Sequence, residues 1–228
     1  MKQRSILWQA AGFAAVTFGG TIAHFLYDWT NGSILAAPFS GVNESTWEHM
    51  KLLYWPLLLF ALVQRLFFRD QKNYWCVKLA EIALGLLLIP VLFYTYNGIF
   101  GKSPDWINIA IFYVTALLVF LFERWAFQQD RLQCTHPWVA FTAICLIGAL
   151  FVVFTFAPPR IPLFQDPLTG TYGMQARENK VSPVPSISGK AKSGKREANP
   201  LIPGTEGKVY HSVPHTESNF PSVSPGSE

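Results

Sequence analysis

The sequence predicts an all-α fold: a polytopic transmembrane helical bundle of five spans, followed by a disordered C-terminal tail. Three observations carry that prediction. Half of the 228 residues are apolar and only 14% are charged, against about 25% in soluble domains. The charge is also uneven, because 14 of the 32 charged residues follow Pro159 and the other 18 gather between long apolar runs. Those runs approach the ~20 residues that a helix needs to cross hydrocarbon, and tryptophan or tyrosine, the residues of membrane–water interfaces, marks their ends.

The first span, about residues 6–27, has no formal charge and one histidine, His24. Lys2 and Arg4 resemble the charged start of a signal peptide. The apolar run exceeds the usual ~7–15 residues of such a segment, so an uncleaved span is expected. Ala11, Ala15, Gly19 and Ala23 recur every four residues and predict a face of small side chains for close packing within the bundle. The second span, about 50–68, starts as "MKLLYWPLLLFALV" and is the most polar of the five. The third covers 74–97, the fourth runs from Trp106 to Trp125, and the fifth is 138–157. Backbone amides in lipid find no water, so each span must be helical. Pro56 and Pro90 fall inside spans two and three, where proline removes a helical hydrogen bond and favours a kink.

Orientation follows from the basic residues between spans. One side holds Lys2, Arg4, Arg65, Arg69, Lys72, Lys78, Arg124 and Arg131; the other holds Lys51, Lys102 and Arg160. Eight against three predicts a plasma-membrane protein with its N-terminus cytoplasmic and its C-terminal tail extracellular. The chain thus divides into a transmembrane domain (1–158), a membrane-proximal turn segment (159–178) and a polar tail (179–228). In the tail 21 of 50 residues are Ser, Pro or Gly, a composition that buries too little apolar surface to offset chain entropy. Its basic cluster, Lys190 to Glu197, is read as solvated.

Several chemistries lack their signatures. Cys76, Cys134 and Cys145 show no motif spacing, so neither a disulfide framework nor a cysteine zinc site is expected. No basic patch interleaves with aromatics, which argues against nucleic acid. There is no H-E-x-x-H zinc motif, no G-x-S-x-G elbow and no Gly-rich phosphate loop.

The ionisable groups concentrate at one end of the predicted bundle. In "GVNESTWEHMKLLYWP", Ser45 and Glu48 fit a capping box, with Ser45 capping the Glu48 amide and the Glu48 carboxylate returning to the Ser45 amide. That leaves Asn43, Glu44 and His49 without a capping role. His24 and Asp28, four residues apart, share a helix face at the same depth, and Asn97 ends the third span on that side. The outer mouth therefore collects His24, Asp28, Asn43, Glu44, Glu48, His49 and Asn97. The ordinary reading is polar packing between helix ends. The functional readings are a divalent metal such as zinc on His24, Asp28, Glu44, Glu48 and His49, acid–base chemistry, or an ion path. At the opposite end Lys78 and Glu81 are spaced to pair, and Glu81 is a secondary candidate. Gln64, Arg65, Glu123 and Arg124 are read as interfacial residues that reach for water.

"APFSGVNESTWEHMKLLYWP" and "PRIPLFQDPLTGTYG" resemble the two signatures of an uncharacterised family of small bacterial multi-pass membrane proteins. The first signature reads approximately P-x-N-E-S-x-W-E-H-x-K and falls on Asn43, Glu44, Ser45, Trp47, Glu48, His49 and Lys51, with His24 and Asp28 upstream. This chain departs from it by placing Ser40 and Gly41 between Phe39 and Val42. The resemblance extends over residues 5–173 and implies which residues to test, without implying a reaction. The leading expectation is a non-catalytic envelope accessory or interaction protein, in contact with the lipid bilayer and with a membrane partner or a second copy. The alternatives are a membrane enzyme with a metal or acid–base site at the mouth, and a small ion or solute carrier.

Overall fold

The computed structural model describes residues 2–101, 104–129 and 134–174. Among them the chain forms five helices and no strand: α1 (Lys2–Trp29), α2 (Thr46–Arg65), α3 (Tyr74–Phe100), α4 (Asp105–Gln129) and α5 (Pro137–Phe156). Short 3-10 turns at Ala37–Phe39 and Pro162–Phe164 flank the mouth of the bundle. The predicted polar tail and its basic cluster lie outside the described residues.

Four helices contain stretches long and apolar enough to cross a membrane: Ile6–Trp29, Tyr74–Phe100, Trp106–Gln128 and Pro137–Phe156. α2 does not meet that measure, and its place in the bundle explains why. It packs against each of the other four helices, and 11 of its 20 residues are buried. A helix that turns more than half of its residues inward can carry polar groups on its buried face, and the interior of this bundle is where the polar groups sit. Lys51, Gln64, Lys78, Glu81, Glu123, Thr115 and Thr155 are all buried, whereas Phe18, Leu59, Leu87, Ile109 and Leu146 are each more than half exposed. Large apolar side chains outside and paired charges inside reverse the soluble pattern and suit a lipid surround.

The core between the two ends is filled. Val16, Leu53, Leu57, Ile82, Val119, Phe120, Ile144 and Phe151 form one buried cluster across all five helices. Tyr54 is buried within it and donates to the Ile144 carbonyl at 2.7 Å. Gly148 permits that approach, because a Cβ there would stand 2.6 Å from the Tyr54 hydroxyl oxygen.

The face that α1 turns inward matches the expected one only toward the mouth, where Ala23 is buried in the core. Gly12, Val16 and Gly20 are buried, while Ala11 and Ala15 are exposed. In the first half of α1 the four-residue spacing is right and the register is off by one, because bulky Val16 is itself a core residue that a search for small side chains passes over. Gly19 still serves as foreseen, leaving room for Pro56 of α2.

Three further expectations need correction. Cys76 and Cys134 form a disulfide across 58 residues of sequence, so two of the cysteines do pair; only the fold brings the start of α3 to the residues preceding α5. Cys145 is free and exposed on the bundle surface. Glu123 and Gln64 do not reach for water. Both are fully buried: Lys78 bridges Glu81 at 2.9 Å and Glu123 at 2.5 Å, and the Gln64 amide oxygen accepts from the Tyr74 hydroxyl at 3.1 Å.

Candidate functional site

The α1–α2 connection builds the mouth. Gly41 lies against α1, its amide donating to the Ala23 carbonyl at 3.3 Å, and a Cβ there would come 3.4 Å from His24 Nδ1. Asn43 is buried; its Oδ1 accepts from the Ser45 amide at 2.8 Å, and its Nδ2 donates to the Gly173 carbonyl at 3.2 Å. Ser45 caps α2 by accepting from the Glu48 amide, as expected. The reciprocal half of the capping box is absent, because Asn43 already holds the Ser45 amide. Glu48 turns instead to the Val42 amide at 3.0 Å and to Lys51 at 2.6 Å.

Lys51 is fully buried and completely satisfied. Its ammonium has three donors and three acceptors: the Glu48 carboxylate, the Ala37 carbonyl at 2.9 Å and the Thr155 hydroxyl at 3.0 Å. One side chain thus ties α2 to the α1–α2 connection and to α5. The segment after α5 completes the rim. Trp47 stacks within 4.5 Å of Phe164, and Asp166 accepts from the Leu168 amide, presenting Pro167 and Leu168 to the mouth. The two stretches that carry the family resemblance therefore pack on each other through Asn43–Gly173 and Trp47–Phe164, and Lys51–Thr155 adds a tie to the end of α5.

Above this base lies a cavity of about 440 Å³, lined by His24, Glu44, His49, Asn97 and Asn108 among its polar groups and by Phe93, Tyr94, Ile109, Pro167 and Leu168 among its apolar ones. A second cleft of about 300 Å³, shared at His24, His49, Asn108 and Ile109, continues between α1 and α4 past Gly20, Phe25 and Phe112. His49 Nδ1 lies 2.9 Å from the Ser45 carbonyl. A carbonyl only accepts, so that nitrogen carries the proton, and Nε2 is the acceptor in the neutral ring. Nε2 faces Glu44 Oε2 at 3.8 Å, and the His24 ring centre is 6.0 Å from that of His49.

The predicted cluster therefore divides. His24, Glu44, His49 and Asn97 converge on one cavity. Asn43 and Glu48 face inward and hold the connection together. Asp28 is exposed and does not line the cavity. Among the described residues no three His, Cys, Asp or Glu side chains are grouped to hold a metal ion. Asn108 is an addition: it sits in the first turn of α4 inside an apolar run, and a lone amide without a motif gave no sequence signal. At the opposite end Glu81 joins Lys78 and Glu123 in a sealed ion-pair cluster, with Glu81 Oε1 and Glu123 Oε2 lacking a hydrogen-bond partner among the described residues.

No curated protein and no solved structure matches the chain. A family model, described as a family of unknown function (DUF6512), matches residues 1–174, which include all five helices and the whole of the mouth. The chain belongs to that family.

Proposed function

We propose that this member of the DUF6512 family crosses the plasma membrane five times and binds a small ligand in the mouth cavity without transforming it. The N-terminus lies on the cytoplasmic side in this reading, on the strength of the eight-to-three distribution of basic residues. α2 counts as the fifth span because it packs against all four apolar helices and presents Leu59, Leu62 and Val63 on its exposed face.

The convergence of His24, Glu44, His49, Asn97 and Asn108 on one cavity carries the proposal. These residues come from four helices and one connection, and their side chains offer both acceptors and donors. The apolar walls and the adjoining cleft between α1 and α4 favour an amphipathic molecule whose polar end donates to His49 Nε2 and Glu44. Small-molecule sites combine a mostly apolar lining with a few convergent polar groups in this way.

One observation favours a second reading, a membrane enzyme. His49, oriented through Nδ1 and placed beside Glu44, has the arrangement of a general base with a carboxylate neighbour. Equilibrium dialysis of the full chain in lipid nanodiscs, against a defined set of amphipathic amines, alcohols and acids, tests the proposal. Wild type should retain at least one compound that His49→Ala and Asn108→Leu release, and mass spectrometry should recover it unchanged. A converted compound would favour the enzyme, and equal retention by all three proteins would overturn the site.

A further inference from the structure

The end of the bundle remote from the mouth carries a second cavity, of about 550 Å³, among whose lining residues are Arg65, Arg69, Lys72, Trp75, Cys134 and Trp138. The chain turns from α2 into α3 here, so the three cations come from one short stretch. Arg65 is held in place: its guanidinium donates to the Phe68 and Arg69 carbonyls and lies 5.4 Å from the centre of the Tyr74 ring. Arg69 and Lys72 are exposed at the rim, and Asp70, also exposed, is the carboxylate between them. The Cys76–Cys134 disulfide joins the start of α3 to the residues leading into α5 and so ties together two sides of the cavity.

We propose that this cavity binds the phosphate of an anionic ligand, presented by a phospholipid headgroup. Three cations against one carboxylate favour an anion, and guanidinium and ammonium groups are the usual partners of phosphate. The aromatic residues favour a lipid. Trp75 is partly buried and Trp138 is largely exposed, and both begin apolar helices, which places the cavity at the depth where tryptophan meets headgroups. Basic pockets between helix ends at that depth suit anionic headgroups. The site stands apart from the mouth cavity and does not depend on what the mouth binds.

The test presents the purified full-length protein with equal amounts of phosphatidylglycerol and phosphatidylcholine carrying the same acyl chains, and counts retained lipid by native mass spectrometry. Wild type should retain phosphatidylglycerol preferentially, and Arg69→Gln with Lys72→Gln should weaken that preference about fivefold for each cation removed. The swap Arg69→Lys with Lys72→Arg preserves charge and should keep most of the preference, which separates lost binding from lost folding. Arg160→Gln, at the mouth end, should leave it unchanged. A neutralised variant that retains phosphatidylglycerol like wild type overturns the proposal, and so does an equal loss in Arg160→Gln. Inorganic phosphate is added in a parallel arm. Its failure to displace the lipid supports a headgroup site, whereas full displacement at millimolar concentration assigns the cavity to a soluble phosphate and overturns the lipid occupant.

Discussion

Lys51 Nζ lies 2.6 Å from Glu48 Oε2, with both side chains out of solvent. Removing one member of a buried pair leaves the other charge uncompensated, at a cost of about 3–5 kcal/mol. Lys51→Met should therefore lower the thermal unfolding temperature of the purified protein sharply. Glu48→Gln with Lys51→Met should recover part of that loss, because no unpaired charge remains. A single variant as stable as wild type would show that the pair is not sealed.

Asn43→Ala removes two hydrogen bonds at once and leaves the Ser45 amide and Gly173 carbonyl without this partner. Each buried group so exposed costs about 1–3 kcal/mol. The expected outcome is local: limited proteolysis should cut within residues 159–173 faster than in wild type, while the helix content by circular dichroism stays the same. Gly173→Ala should do likewise, since φ is +60° there and its Cβ would stand 2.9 Å from Pro158 Cγ.

Lys78 serves two carboxylates, so its loss should be the most damaging single change at the remote end. Lys78→Met leaves Glu81 and Glu123 facing each other without a cation, again about 3–5 kcal/mol or more. The apolar triple variant Lys78→Met, Glu81→Leu, Glu123→Leu should be more stable than Lys78→Met alone, as differential scanning calorimetry in detergent can measure. The reverse order would mean that the three groups do not act as one cluster.

Thiol counting tests the disulfide. Denatured, unreduced protein should react at one cysteine, Cys145, and at all three after reduction. The result also bears on orientation. The bridge lies at the end that the basic residues assign to the cytoplasm, where thiols are normally kept reduced. After reduction, a membrane-impermeant maleimide added to intact cells should leave Cys76 and Cys134 unlabelled if the basic residues set the orientation. Labelling would place that end outside.

The helices were legible because hydropathy and interfacial aromatics report how long a segment stays in lipid. The gathering of His24, Glu44, His49 and Asn97 was legible too, since it needs only which span ends share a side. What the sequence concealed is which face of each helix looks inward. α1 and α4 are apolar all round, so nothing in composition separated Gly12 from Ala11 or marked Asn108 as facing the cavity. Glu123 looked interfacial because it stands near the end of its span, and only the approach of Lys78 from α3 explains its burial. Hydropathy ranked α2 weakest for the same reason that the fold makes it central: its polar side chains answer to neighbouring helices rather than to lipid.

The partnership of Lys51 with Thr155 also sets a timetable. Synthesis runs from the N-terminus, and the hydroxyl that completes the Lys51 ammonium shell arrives 104 residues after it. During that interval one N–H of the Lys51 ammonium lacks its native acceptor. The bonding at the mouth end of α2 is therefore complete only once α5 is in place, although the Glu48 and Ala37 partners are available from the start.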